Sequence, residues 1–163
     1  MRKSIAILSL GVLMALFAGC GAHRSQAYYD YESKVIATEL DGSYTIRAWG
    51  RARNAADAFV QAQKTAVYDV IFNQIQWATG TASSTSGVLK PLLLEVNAKQ
   101  KYEEWANVFF ADGGDYKKYC SLKEKRSLST NYQKTDAQTQ AQVTVCVFRK
   151  ELKERLIQDN ILK

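Results

Sequence analysis

Apolar residues fall into three kinds of run along this chain. The first is a long run from Ile5 to Phe17, interrupted only by Ser9 and Gly11, behind the cationic pair Arg2 and Lys3. The second has a helical period. Between Asn54 and Ala78, Phe59, Ala62, Ala66 and Val70 form one row and Val67, Ile71 and Ile75 the next, with Ala55 and Ala58 extending the small side. The third has period two: Ala141, Val143, Val145 and Val147 alternate with Gln142, Thr144 and Cys146, the pattern of a half-buried strand.

These runs predict the remaining elements. Asp41-Gly42 is a hairpin signal between strands at Ser33 to Leu40 and Ser43 to Trp49. A two-residue loop pairs Leu40 with Ser43, so that Val35 faces Ala48 and Ala37 faces Ile46 on the core side. Asn54 caps the long helix with Asp57 three residues on, and the helical pattern ends near Ala78. A helix so rich in alanine can lie close on a sheet. Thr79 to Gly87 is a Ser/Thr-rich loop. Pro91 opens a helical turn through Leu92 to Leu94, and Asn97 with Gln100 starts another that turns Tyr102, Trp105 and Phe109 one way before Gly113. The pattern leaves open whether 91–111 is one helix or two. Strands are expected at Tyr116 to Ser129 and Ala137 to Phe148, joined by a polar loop from Thr130 to Asp136. A basic helix, Arg149 to Asp159, turns Leu152, Leu156 and Ile157 inward. The order β-β-α-α-β-β-α defines an α+β fold in which two hairpins form a mostly antiparallel sheet, packed against the alanine-rich helix and further helices.

The first run changes where this fold is placed. A positive end, an apolar stretch short of the about 20 residues a span requires, and Leu16-Phe17-Ala18-Gly19-Cys20 read as a bacterial lipoprotein leader. Phe17 takes a place usually held by leucine. Residues 1–19 are then the signal peptide, Cys20 is the lipidated first residue, 20–33 is a tether and 34–163 is a single domain. The tether holds His23, the chain's single histidine, and Tyr28, Tyr29 and Tyr31, which suit either a headgroup boundary or the edge of the domain. Gly21 after the lipid site, with no acidic run, favours a periplasm-facing outer-membrane location.

Loss of 19 of the 163 residues leaves 144, enough for one core, and removes Arg2 and Lys3, lowering the net charge from +6 to +4. That excess forms no dense basic block, so nucleic acid is not an expected partner; the membrane, through the lipid on Cys20, and an envelope protein are. Cys120 and Cys146 remain, in a compartment that permits a disulfide. In a hairpin the two thiols meet only if Lys123 faces Val143. A shift of one residue sets Leu122 opposite Val145 and separates them, leaving two buried free cysteines.

Ala48-Trp49-Gly50-Arg51-Ala52, the helix through Ala62 and Ala66, and Val143 to Val147 followed by Leu152 and Leu156 together resemble the twenty-kilodalton bacterial lipoprotein family and the amino-terminal domain of flagellar assembly protein T. The likeness spans Ser43 to Leu156, with a larger insertion at Thr79 to Asp115. It implies a non-catalytic assembly or binding module of the outer envelope and no catalytic residues.

The residues themselves equip no familiar reaction. One histidine and two cysteines 26 positions apart make no metal set or nucleophile pair, and no cofactor is implied. Adjacent Glu103 and Glu104 diverge on a helix, Asp112-Gly113-Gly114-Asp115 lacks the spacing of a calcium loop, and Gly50 has no partner glycines for a phosphate cradle. What remains is surface. Trp105, Phe109 and Phe110, with loop 79–87, are expected to border a partner patch. The competing reading is a carrier or sensor of lipid, glycan or peptidoglycan working through the basic helix and aromatic residues.

Overall fold

The computed structural model describes residues 31–79, 87–123, 132–134 and 138–162. The leader, Cys20, His23, Tyr28 and Tyr29 lie outside the described residues, as does the loop interior at 80–86. The α+β class holds: helices pack on a sheet whose strand pairs are antiparallel except for one.

Two nine-residue strands, β2 (Tyr44–Ala52) and β7 (Thr139–Val147), form its centre, antiparallel and in unbroken register from Tyr44 opposite Val147 to Ala52 opposite Thr139. Alternation puts Ile46, Ala48 and Gly50 on one face, across from Val145, Val143 and Ala141, and all six are buried. Side-chain size therefore falls along this face from Ile46/Val145 to Gly50/Ala141. Into the space this leaves comes α1 (Ala55–Phe72). A Cβ on Gly50 would lie 2.0 Å from the carbonyl oxygen of Ala58 and 2.3 Å from the amide nitrogen of Ala62, so the strand backbone meets the helix backbone directly. Ala58, Ala62 and Ala66 are fully buried, together with Val67, Val70 and Ile71.

Both helix ends are satisfied as an isolated helix cannot manage. At the start, Asn54 accepts the Asp57 amide at 2.9 Å and donates to the Asp57 carboxylate at 2.7 Å. At the end, the Asn73, Leu92 and Leu93 amides donate to the carbonyls of Asp69, Val70 and Ile71 at 2.9–3.0 Å. This corrects the expectation at Pro91: residues 92–94 form no helical turn, because the amides of Leu92 and Leu93 serve α1 and their buried side chains pack in the core.

Several boundaries differ from the sequence reading. The long helix stops at Phe72, not Ala78, and Ile75 is buried in strand β3 (Ile75–Trp77), parallel to β1 (Lys34–Thr38). Ile75 falls four residues after Ile71 and so fits the helical period equally well. Beyond β3 pairs β4 (Val88–Leu89). The hairpin loop has three residues, not two: Gly42 at φ +82° donates to the Glu39 carbonyl, and the Glu39 amide to that of Ser43. Leu40 is left in solvent, and with an irregularity between Val35 and Ala37 the pairing becomes Val35 with Ile46 and Ala37 with Thr45.

The segment 98–109 is two helical pieces, α2 (Ala98–Lys101) and α3 (Glu103–Phe109), broken at Tyr102. Asn97 sits in the left-handed region at φ 66° and makes no side-chain cap. The strand expected from Tyr116 is first a 3-10 turn (Asp115–Tyr119), which buries Tyr116, and then β5 (Cys120–Leu122), while 124–129 lie outside the described residues. The expected polar loop contains β6 (Tyr132–Lys134), so β5 and β6 share one edge of β7. The sheet order is β4-β3-β1-β2-β7-β5, with β6 also on β7. In α4 (Arg149–Gln158) Leu152 and Leu156 face inward as expected, while Ile157 is exposed. Among the described residues, no helix is long and apolar enough to cross a membrane.

The backbone contact at Gly50 gives a direct expectation. Gly50→Ala should cost at least about 3 kcal/mol in urea unfolding, since neither neighbouring backbone can retreat without lifting α1. Gly42→Ala, where a Cβ meets nothing but the φ is positive, should cost about 1 kcal/mol.

Candidate functional site

The aromatic residues expected to border a partner patch come together, but mainly to build the domain. Phe109 is buried, stacked on Trp105 at 4.6 Å between ring centroids and met edge-on by Phe110 at 5.0 Å. Phe110 in turn lies 5.8 Å from Tyr68 on α1 and 5.9 Å from Tyr116. Trp105 donates its indole N–H to the Asp159 carboxylate at 2.9 Å, joining α3 to the end of α4. The physical reason is economy of apolar area: α3 is only seven residues long and is held by its large side chains. Phe109 is thus removed from the surface of the patch. Trp105 and Phe110 are half-buried, and loop residues 80–86 lie outside the described residues.

What this segment does expose is aliphatic. Leu94, Val96 and Val108 are 73%, 88% and 75% exposed. A cavity of about 320 Å³ opens between α1 and α3, lined by Lys64, Tyr68, Ala106 and Phe110 among others. Lys64 closes one side of it through an ion pair with Asp112 at 3.0 Å.

The charged groups are paired in ways that explain their places. Lys64 holds the Asp112 carboxyl below its ordinary value, and Lys118 does the same for Asp115, which Arg155 also approaches at 3.4 Å. Both ends of Asp112-Gly113-Gly114-Asp115 therefore answer to cations. Its glycines make the turn: Gly113 has φ +88°, and a Cβ on Gly114 would lie 2.3 Å from the Phe109 carbonyl oxygen. Glu103 and Glu104 occupy the exposed first turn of α3, a favourable end for negative charge. At the hairpin, Lys123 and Thr45 both reach Glu39 at 2.7 Å and hold its carboxyl low. Among the described residues, no three His, Cys, Asp or Glu side chains gather as a metal set.

The two thiols are free. Leu122 lies opposite Val145, the register that separates them: Cys120 faces Val147 and Cys146 faces Ser121, so alternation sends the thiols to opposite faces of the sheet. Cys146 contacts the Ser43 hydroxyl at 3.4 Å. Burial, and secondarily Cys146, push the Cys120 thiol up to about 11. A group so shifted disfavours thiolate in the folded chain, so its contribution to stability is intact below pH 9 and lost as the pH rises toward 11.

One arrangement was not singled out from the sequence. On β2, Arg47, Trp49 and Arg51 alternate with Ala48 and Gly50, so they share the face turned away from α1. The alternation Arg-x-Trp-x-Arg was legible, but the residues between it, not these, carried the core pattern. Comparison with protein-family models, curated proteins and solved structures finds no match to this chain.

Two measurements check the packing. Phe109→Ala should lower stability by about 3–5 kcal/mol, whereas Tyr116→Phe should be neutral or slightly stabilising, because the buried Tyr116 hydroxyl has no hydrogen-bond partner. In a thiol-labelling assay at pH 7.5, Cys120 should react far more slowly in the folded chain than in denaturant.

Proposed function

We propose that this protein is a lipid-anchored lipoprotein of the bacterial cell envelope, held by Cys20 to the periplasmic side of the outer membrane, which presents its α+β domain to a protein assembly and carries out no catalysis. The observation that carries the reading is the leader: Arg2 and Lys3, an apolar stretch too short to span, and Ala18-Gly19 before Cys20. A single acyl chain anchors only marginally, so stable attachment calls for more than one chain on that residue.

The domain's surface supports the second half of the proposal. Leu94, Val96 and Val108 stand exposed on 94–108, a stretch held at one end by the Leu92 and Leu93 amides on the end of α1 and at the other by buried Phe109. Rigid presentation of apolar side chains lowers the ordering cost of binding. The resemblance of 43–156 to envelope assembly modules points the same way, and the exposed aliphatics lie within the stretch that exceeds that resemblance.

Two arms test the proposal. Cells fed a labelled fatty acid should incorporate it into the wild-type protein, with mass spectrometry placing acyl groups on Cys20, and Cys20→Ala should accumulate with its leader attached. Val96→Asp with Val108→Asp should keep the melting temperature within about 2 °C yet lose a stoichiometric protein partner cross-linked in intact envelopes. An unmodified Cys20 thiol refutes the anchor; a partner retained at full yield by the double variant refutes the surface.

A further inference from the structure

We propose that the sheet face turned away from α1 binds an anionic polysaccharide of the envelope, with Arg47, Trp49 and Arg51 as its contact row. The inference rests on the foregoing reading only for the compartment that supplies the ligand.

Alternate residues of a strand stand about 7 Å apart on one face. Two guanidinium groups therefore flank one indole along a straight line, in the middle strands of the sheet. Arg47 and Arg51 are exposed, and among the described residues neither has a carboxylate partner, although cations around them do. Lys34, opposite Arg47 on β1, is paired with Glu32 at 3.1 Å, and Lys123 is paired with Glu39. Across the row β7 places Thr144 opposite Arg47 and Gln142 opposite Trp49, neutral groups that bring no competing negative charge. The face thus holds two positive charges that no described carboxylate pairs, beside neutral hydrogen-bonding side chains.

The row is also pre-shaped. The Arg51 guanidinium lies 4.1 Å from the Tyr31 ring centroid, and Tyr31 meets Trp49 edge-on at 5.3 Å. Stacking fixes the plane of a guanidinium while leaving its edge N–H groups to take a carboxylate in two-point fashion. The indole, half-buried and braced by Tyr31, offers a flat apolar surface for the C–H face of a sugar ring. Charge, indole and charge on a line match an extended polymer whose acidic groups are separated by sugar rings. A nucleic acid backbone would call for more closely spaced cations, and a bilayer for apolar side chains projecting beyond the charges.

The test uses the full-length protein purified in detergent, so its result does not depend on acylation. The probes are polygalacturonate fragments, neutral dextran and poly-glutamate at 0.1 M salt. Polygalacturonate should bind and the other two should not. Arg47→Gln with Arg51→Gln should weaken binding at least tenfold, Trp49→Ala at least fivefold and Trp49→Phe less than twofold, all with unchanged circular dichroism. Lys150→Gln with Lys153→Gln, on the exposed face of α4, should change nothing. Equal affinity for poly-glutamate, undiminished binding by the folded arginine double variant, or no binding of polygalacturonate overturns the proposal. Should Trp49→Ala fail to fold, a Trp49→Phe variant that loses binding overturns the role of a flat ring, and the arginine variant still decides the charge.

Discussion

The contact between Gly50 and the backbone of α1 at Ala58 and Ala62 sets the distance between helix and sheet, and most of the fold follows from that distance. At so close an approach only alanine fits on the facing side of the helix, and only small residues fit around Gly50, where Ala141 lies opposite. Farther along the same face the pairs grow to Ala48/Val143 and Ile46/Val145, which fill the widening gap to interior density. The result is a thin, dry seam in which few atoms per residue are buried but backbones touch, so that a single added methyl group has nowhere to go.

The stretch that follows β4 is arranged around the far end of α1. The amides of Leu92 and Leu93 complete the hydrogen bonding of the helix, which fixes the start of the stretch that leads to α2 and α3. Phe109, Phe110 and Tyr116 then lock that stretch against Tyr68 of the helix, while Trp105 and Tyr102 tie it to the terminal residues, Trp105 through Asp159 and Tyr102 through a 3.1 Å bond to the Ile161 carbonyl. Asn160, at φ 57°, ends α4 and lets the Ile161 amide return to the Leu156 carbonyl. Leu89, Leu92, Leu93, Ala98 and Phe109 make this stretch part of the core, and what it offers outward is aliphatic rather than aromatic.

The long-period and short-period patterns were legible because they involve many residues repeating one geometry: Asn54 and the alanine row gave α1, and the valines of 143–147 gave β7. The thiol separation was legible for the same reason, since the register that joins the thiols would set Val143 and Val145 against Lys123 and Ser121 and not against apolar Leu122. Short elements carried no such redundancy. Ile75 satisfies a helical and a strand period alike, Pro91 suits a helix start unless its neighbours' amides are claimed elsewhere, and two- or three-residue strands such as β4 and β6 exist only through pairing with partners remote in sequence. The exposed row Arg47-Trp49-Arg51 was overlooked because exposed positions follow no rule of periodicity except as the complement of the buried one.

The two outward faces thus have different characters: exposed aliphatics on the helical side, and guanidinium groups around an indole on the sheet side. Both depend on a seam rigid enough to hold them in place. The most direct test of that seam is the nuclear Overhauser spectrum of the folded protein. Strong cross-peaks between a Gly50 α-proton and the amide proton of Ala62 are expected from backbone contact. Their absence, with the amide assigned and Ala62 still helical, would mean that α1 rides farther from the sheet and would contradict the account.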